Sequence, residues 1–102
     1  MALRPNLHNE LRGIMGSDNV YYQPPTSVLM KYPCIVYSLS GLNTQYADGM
    51  IYIPTRQYEV ILIDPNPDSE FFDLILNHFQ MCSFSGGYTA NNLNHFRFTI
   101  HY

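Results

Sequence analysis

The final segment of the chain, residues 95–102, alternates strictly between two kinds of side chain. One set is apolar or aromatic: Phe96, Phe98, Ile100 and Tyr102. The other set is polar or basic: His95, Arg97, Thr99 and His101. A period of two predicts a β-strand with one buried face. Because the chain ends in this strand, we expect no tail or targeting signal and expect the surface of the folded domain to carry the function.

Two other segments have apolar residues at helical spacing. The first predicted helix begins near Pro5, which is tolerated in a first turn, and ends at Gly16. Its apolar face comprises Leu3, Leu7, Leu11 and Ile14. The second follows residues 64–69, where two prolines stop a strand and Asp68 or Ser69 can cap the helix. Its apolar face comprises Phe71, Leu74, Ile75, His78 and Phe79.

The remaining apolar segments favour strands. Residues 34–39 are β-rich up to a break at Ser40-Gly41, and residues 57–63 are the expected antiparallel partner, with Tyr58, Val60 and Leu62 on one face. Residues 20–22 are a brief extended piece. Residues 81–84 are a short strand, and Gly86-Gly87 opens the turn into the last strand.

This order of elements predicts an α+β fold in a single domain, residues 1–102. We expect one antiparallel or mixed sheet of about four to five strands, with two helices packed on it and a long projecting β-hairpin or loop.

The projecting element is the connection from Ser40 to Arg56. Connections longer than about a dozen residues are usually functional or structured. Residues 50–53 are apolar and follow the turn signal Asp48-Gly49, so we predict a ribbon covered by another chain. The predicted interface has a ribbon part and a part on the last strand. Its residues are Tyr46, Met50, Ile51, Tyr52, Ile53 and Arg56, with Arg97, Thr99 and His101.

The amino-acid composition agrees with a subunit whose surface is largely covered by neighbouring chains. Charged residues make up 13% of the chain and aromatic residues 15%, with nine tyrosines, which are suited to half-buried contacts. A compact monomer with half-buried tyrosines remains the alternative.

The net charge is −3, and the basic residues, Lys31 and four arginines, form no stripe that would follow a phosphate backbone. We therefore expect the domain not to bind DNA tightly. The absence of a long apolar run or a secretory signal predicts a soluble, cytosolic chain with no membrane contact.

The sequence gives only weak candidates for a catalytic or metal-binding site. Cys82, His78, His95 and His101 lack the paired spacing of zinc ligands, and Cys82 with His95 as a nucleophile and base is less favoured than a small core residue. Cys34 and Cys82 are expected to be free buried thiols. Acidic residues crowd the start of the second helix, where the helix dipole accounts for them: Asp64, Asp68, Glu70 and Asp73. Gly86-Gly87 is not followed by a P-loop pattern. We predict no catalytic, cofactor or metal site.

Several segments together resemble the tail-completion proteins of tailed bacteriophages, of the tail terminator type. The resemblance covers residues 4–102 and is most specific at Thr89 to Tyr102. The segments that carry it are YYQPP at 21–25, KYPCIVY at 31–37, YAD at 46–48, YEV at 58–60, DPNPDS at 64–69 and YTANNLNH at 88–95.

This resemblance implies a structural virion protein located at the tail neck and assembled in the host cytoplasm. It implies a hexameric ring that caps the head-proximal end of the tail tube, stops tube growth and joins the tail to the head. The implied partners are other copies, the tail tube protein and the head-completion or connector protein, with DNA passing through unbound. Two alternatives remain open: another neck ring protein, and a monomeric interaction module or small enzyme with an unrecognised site.

Overall fold

A computed structural model of the chain describes residues 4–47 and 50–102, without the side chains of residues 42–47 and 50–55. It contains two helices and a five-stranded mixed sheet, which confirms the predicted α+β fold. The elements in chain order are α1 (Arg4–Met15), β1 (Val20–Tyr22), β2 (Cys34–Ala47), β3 (Met50–Asp64), α2 (Phe71–His78), β4 (Cys82–Ala90) and β5 (Leu93–His101). The strand order is β1-β2-β3-β5-β4; β1 pairs with β2 in parallel, and the other pairs are antiparallel.

Both helices pack on one face of this sheet, and the core lies between them. Alternate residues of β2, β3 and β5 point into the core and are almost fully buried: Ile35, Tyr37, Tyr58, Val60, Leu62, Phe98 and Ile100. Leu7 and Leu11 of α1 and Ile75 of α2 meet them from the helix side. The buried faces predicted for residues 57–63 and for the terminal strand are therefore confirmed.

Helix α1 follows its prediction closely. Leu7, Leu11 and Met15 are buried, while Ile14 packs against the core only partly. Leu3 lies outside the described residues. Gly16 has a φ of 66°, and its N–H donates to the Arg12 carbonyl at 2.9 Å, so it ends the helix in the left-handed conformation that glycine favours.

Helix α2 is rotated relative to its prediction. Ser69 Oγ accepts a hydrogen bond from Phe71 N at 3.3 Å, and the side chain of Ile75 is fully buried. The predicted burial of Leu74 was wrong, because this residue is 51% exposed. Phe72 packs against the core instead. With Phe72 and Phe79 one turn to either side of Ile75, Leu74 lies to the side of the apolar stripe.

Two glycine-containing dipeptides that were predicted to interrupt strands, Ser40-Gly41 and Gly86-Gly87, lie within strands. Strand β2 continues past Ser40-Gly41 through a register irregularity between Leu39 and Gly41. Strand β4 continues past Gly86-Gly87, with a register shift between Phe84 and Gly86. A β-bulge absorbs one extra residue without ending the ladder, and Gly86 provides the φ of 122° that this requires.

The turn into β5 is made by Asn91 and Asn92, with φ values of 53° and 61°. Asparagine tolerates the left-handed region that a tight hairpin turn demands. The turn begins later than predicted, because the left-handed conformations are adopted by these asparagines and Gly86-Gly87 lie within β4.

The register of β2 and β3 extends as far as the pair Ala47↔Met50. Residues 48 and 49 lie outside the described residues, as do the side chains of Tyr46 and of residues 50–53. The projection of this hairpin from the domain, and the contacts of those side chains, therefore stay predictions.

Candidate interaction surfaces

The sheet face opposite the helices, here called the open face, lacks a covering layer of helices in the described part of the chain. Strand alternation and pairing place on it a set of polar, aromatic and apolar side chains that are half-buried or exposed. They are Ser38, Glu59, Ile61, Tyr88, His95, Arg97, Thr99 and His101.

One end of this sheet face is covered. Cys34 is fully buried and its β3 partner Ile63 is 6% exposed, although alternation points both away from the helices. The connector, residues 23–33, runs on this side, since Lys31 N donates to the hydroxyl of Tyr21 at 3.2 Å. The open face therefore begins beyond the connector.

Polar groups on the open face are paired across strands. Arg97 Nε donates to Glu59 Oε1 at 3.0 Å, and the side chains of Arg97 and Glu59 are 45% and 36% exposed. The hydroxyls of Ser85 and Thr99 are 2.9 Å apart, which is hydrogen-bond distance. The rings of Tyr88 and His95 stack with centroids 4.5 Å apart. A broad face of mixed polar, aromatic and apolar groups, several of them paired across strands, has the character of a protein–protein contact surface.

The structure divides the predicted interface residues between two faces. Arg97, Thr99 and His101 share the open face of β5. Arg56 falls on the helix side by alternation with Tyr58, beside the terminal residue, Tyr102, with which it exchanges backbone hydrogen bonds of 2.9 and 3.3 Å. Arg56 thus cannot share one flat contact with the other three.

Further parts of the surface carry exposed apolar residues that the sequence pattern did not predict to be exposed. At the β1 end of the sheet, Leu29 of the connector is 94% exposed and Tyr32 is 40% exposed. At the β4 end, Met81 and Phe84 are each 44% exposed. Leu74, which lies beside Gly13 and Ile14 of α1, is 51% exposed. Sequence periodicity gives no signal for such exposure, because it depends on which residues other elements leave uncovered.

The two cysteines are free and lie apart. Burial raises the pKa of Cys34 to about 12 and also raises the pKa of Cys82, so both favour the unreactive thiol form. Cys82 pairs with Ile100, whereas His95 pairs with Tyr88. Five residues of strand separate Ile100 from His95, roughly 17 Å, so Cys82 and His95 do not form a nucleophile–base pair.

The histidines considered as metal ligands are also dispersed. His78 Nε2 lies 3.1 Å from Glu10 Oε1 between the two helices, while His95 and His101 occupy the other side of the sheet. His101 Nδ1 is buried and has no hydrogen-bond partner among the described residues. Across that same part of the chain, no three His, Cys, Asp or Glu residues are grouped closely enough to hold a metal ion.

The carboxylate of Asp64, before α2, closes a local turn. Asp64 is only 7% exposed, and its Oδ1 accepts a hydrogen bond from Asn66 N at 2.8 Å, which closes the turn after β3. Asn94 Nδ2 donates to the carbonyls of Asp64 and Pro65 at 3.2 and 3.1 Å, which fixes the same turn to β5.

Two polar clusters attach α1 to the sheet. The hydroxyl of Tyr37 lies 2.7 Å from His8 Nδ1 and accepts from Arg4 at 3.3 Å. Burial, followed by the nearby arginines, lowers the pKa of His8, and burial raises the pKa of Tyr37. Tyr102 donates its hydroxyl to Glu10, and burial, with this bond, raises the pKa of Tyr102 to about 12.

Comparison of the chain with protein-family models, curated proteins and solved structures found no match. The helices within the described residues are all too short to cross a membrane.

Proposed function

We propose that the chain is a structural ring subunit of a tailed bacteriophage, of the tail terminator type. In this function several copies form a ring at the head-proximal end of the tail tube, where the ring stops tube growth and contacts the head connector. The sequence segments that resemble tail terminators support this function, and so do the surfaces of the domain.

The observation that carries the proposal is the open face. Both helices pack on the other side of the sheet, so the open face remains available to a partner chain. Cross-strand pairing of Arg97 with Glu59 lowers the cost of removing these two charged groups from water in a contact. A flat surface of this composition suits a stable contact with protein better than the binding of a small molecule, which needs a concave pocket.

The charges support a ring through which DNA passes. Arg97 is paired with Glu59 and Arg12 with Asp18, so two of the five basic residues already have acidic partners within the chain. With a net charge of −3, the domain offers little attraction to a polyanion. DNA would slide past such a surface without being held.

The proposal is tested with the tail tube protein of the same phage. Electron microscopy should show rings of the purified chain, and rings seated on one end of tubes that no longer elongate. Thr99→Lys places a charge on the open face and should abolish seating. Asn9→Lys, on the exposed side of α1, is the matched control and should seat normally. Tubes that elongate equally with and without the chain would contradict the proposal.

A further inference from the structure

We propose that a recess beside the start of α2 binds an arginine side chain that another protein presents. This aromatic recess is lined by Pro67, Asp68, Ser69, Phe72, Asp73 and Phe96. It lies on the helix side of the sheet, because Phe96 is on the same face of β5 as the buried Phe98. The recess is therefore separate from the open face, and the inference does not depend on the proposed function.

Phenylalanine rings form the apolar surface of the aromatic recess. The ring centroids of Phe72 and Phe96 are 5.6 Å apart and the rings meet edge to face, and both residues are only partly buried. The ring of Phe84, which is 44% exposed, has its centroid 5.1 Å from that of Phe72. The faces of such rings attract cations and stack against a planar guanidinium group.

Gly87 leaves the aromatic recess open at the edge of the sheet. It is the register partner of Phe96, and its strand, β4, is the last in the sheet. A methyl group on Gly87 would lie 3.8 Å from a ring atom of Phe84 and 3.9 Å from a ring atom of Phe96, so glycine leaves both rings uncovered on this side.

The edge of β4 favours a polypeptide as the occupant over a small free cation. The outer edge of β4 pairs with no other strand among the described residues. Backbone N–H and C=O groups on such an edge can bind an extended segment of another protein. An arginine on a segment bound there reaches the recess by passing over Gly87.

The charges around the aromatic recess select a cation. Asp68 and Asp73 line it, and Glu70 is exposed just before α2. Within the described residues, the ion pairs all lie elsewhere: Arg12–Asp18, His78–Glu10 and Arg97–Glu59. The dipole of α2 offsets only about half an elementary charge, so the three carboxylates leave this region negative. A basic side chain complements that charge.

The combination of rings and carboxylates favours arginine over lysine. A guanidinium group can stack one face on a phenylalanine ring while its N–H groups donate to a carboxylate. An ammonium group is more strongly hydrated and has no flat face to stack. We therefore expect the partner to be a protein that carries an arginine on an extended or loop segment at its surface.

The ligand test uses the full chain and a capped peptide, Gly-Gly-Arg-Gly-Gly, beside the same peptide with citrulline in place of arginine. Citrulline keeps the shape of arginine but has no charge. In amide NMR titrations of the isotope-labelled chain, the arginine peptide should shift the signals of Phe72, Asp73, Gly87 and Phe96 until they saturate. The citrulline peptide should not shift them.

Three outcomes of this titration would overturn the inference. The first is equal binding of the citrulline peptide, which would show that charge is not recognised. The second is a set of shifts spread evenly to acidic residues away from the recess, such as Asp18 and Glu59. The third is binding of spermidine as tight as that of the arginine peptide, which would contradict a protein partner.

Variants of the chain test the two parts of the recess. Asp73→Asn removes a charge from its lining, and Phe96→Leu removes a ring but keeps an apolar residue. Glu70→Gln is the matched control, because it removes the same charge from an exposed residue that does not line the recess. Thermal melts verify that each variant is folded.

We expect Asp73→Asn and Phe96→Leu each to weaken binding of the arginine peptide about threefold or more. Glu70→Gln should have a smaller effect. Equal weakening by Asp73→Asn and Glu70→Gln would overturn the inference, because only the net charge would then matter. Unchanged binding by a folded Phe96→Leu variant would overturn it as well. If Phe96→Leu does not fold, the comparison of arginine with citrulline on the parent chain decides.

Discussion

At the scale of single residues, β5 has two faces with opposite requirements. Phe98 is fully buried, and the centroid of its ring lies 5.3 Å from that of Phe72 and 5.6 Å from that of Phe84. Phe98→Ala should lower the free energy of unfolding by about 3–5 kcal/mol, because a cavity replaces a ring in contact with two others. Thermal and urea denaturation measure this loss.

The neighbouring residue provides the control. Thr99 lies on the open face, where its hydroxyl bonds to that of Ser85 near solvent. Thr99→Ala should lower the free energy of unfolding by about 1 kcal/mol or less. Equal stability of Phe98→Ala and the parent chain would contradict the assignment of the buried face.

Two glycines of α1 make a matched pair for the same substitution. A methyl group added at Gly13 would meet no atom within 4 Å, so Gly13→Ala should stabilise the domain by about 0.5–1 kcal/mol through the higher helix propensity of alanine. Gly16 has equal space but a φ of 66°, so Gly16→Ala should destabilise by about 1–2 kcal/mol. Urea denaturation compares them; shifts of the same sign would show that the helix does not end at Gly16.

At the scale of elements, we expect the attachment of α1 to the sheet to weaken at low pH. The Tyr37 hydroxyl accepts from Arg4, and it can donate its hydrogen to His8 Nδ1 in the tautomer of neutral histidine that leaves Nδ1 unprotonated. Neutral His8 can accept this bond, and protonated His8 cannot. Burial, then Arg4 and Arg12, lowers the pKa of His8 below its usual value of 6.5.

A lowered pKa in the folded state determines the sign of the effect. The unfolded chain binds this proton at a higher pH than the folded chain does, so stability is full above about pH 6.5 and is lost as the pH falls through the folded pKa. We expect His8→Asn, which accepts a hydrogen bond and does not titrate, to reduce the acid loss of stability. Urea denaturation between pH 7.5 and pH 4.5 provides the measurement, and an unchanged pH slope would contradict this account.

The β2–β3 pair permits a deletion that tests the predicted ribbon. Thr44 and Pro54 are register partners, so removing Gln45 to Ile53 can be closed with a two-residue turn. The pairing of β3 with β5 begins at Gln57 and stays intact, so the shortened chain should fold. It should also lose assembly, or binding to the tube, as seen by sedimentation. If it still formed the same oligomer, the ribbon would not be the subunit contact. If it did not fold, the segment would belong to the core.

At the scale of the whole molecule, the charge balance predicts weak interaction with DNA. The net charge is −3, and the Arg97 guanidinium on the open face is paired with Glu59. We expect no measurable binding of duplex DNA in fluorescence anisotropy at physiological salt. As a control, Glu59→Gln releases Arg97 from its ion pair and should increase any binding at low salt. Tight binding of DNA by the parent chain, with a steep salt dependence, would contradict the prediction that DNA passes this domain without binding to it.

The α+β class, both helices and the buried faces of β3 and β5 could be predicted because each depends on local periodicity. In β5, for instance, the period of two placed Phe98 and Ile100 in the core without any knowledge of their neighbours. Likewise, Gly16 indicated the end of α1 through its own backbone preference. These features can be predicted from the sequence because they are determined by interactions between residues that are close together in the chain.

Other features were decided only by tertiary contacts. Gly86 is compatible with both a turn and a bulge, and pairing with β5 selected the bulge. Leu74 fits an apolar helical face, but the position of α2 on the sheet selected Phe72 for the core. The division of Arg56 and Arg97 between two faces, and the exposure of Leu29, follow from strand order and the path of the connector. By itself, the sequence determined which segments form helices and strands; packing between distant segments decided which surfaces remain available to a partner.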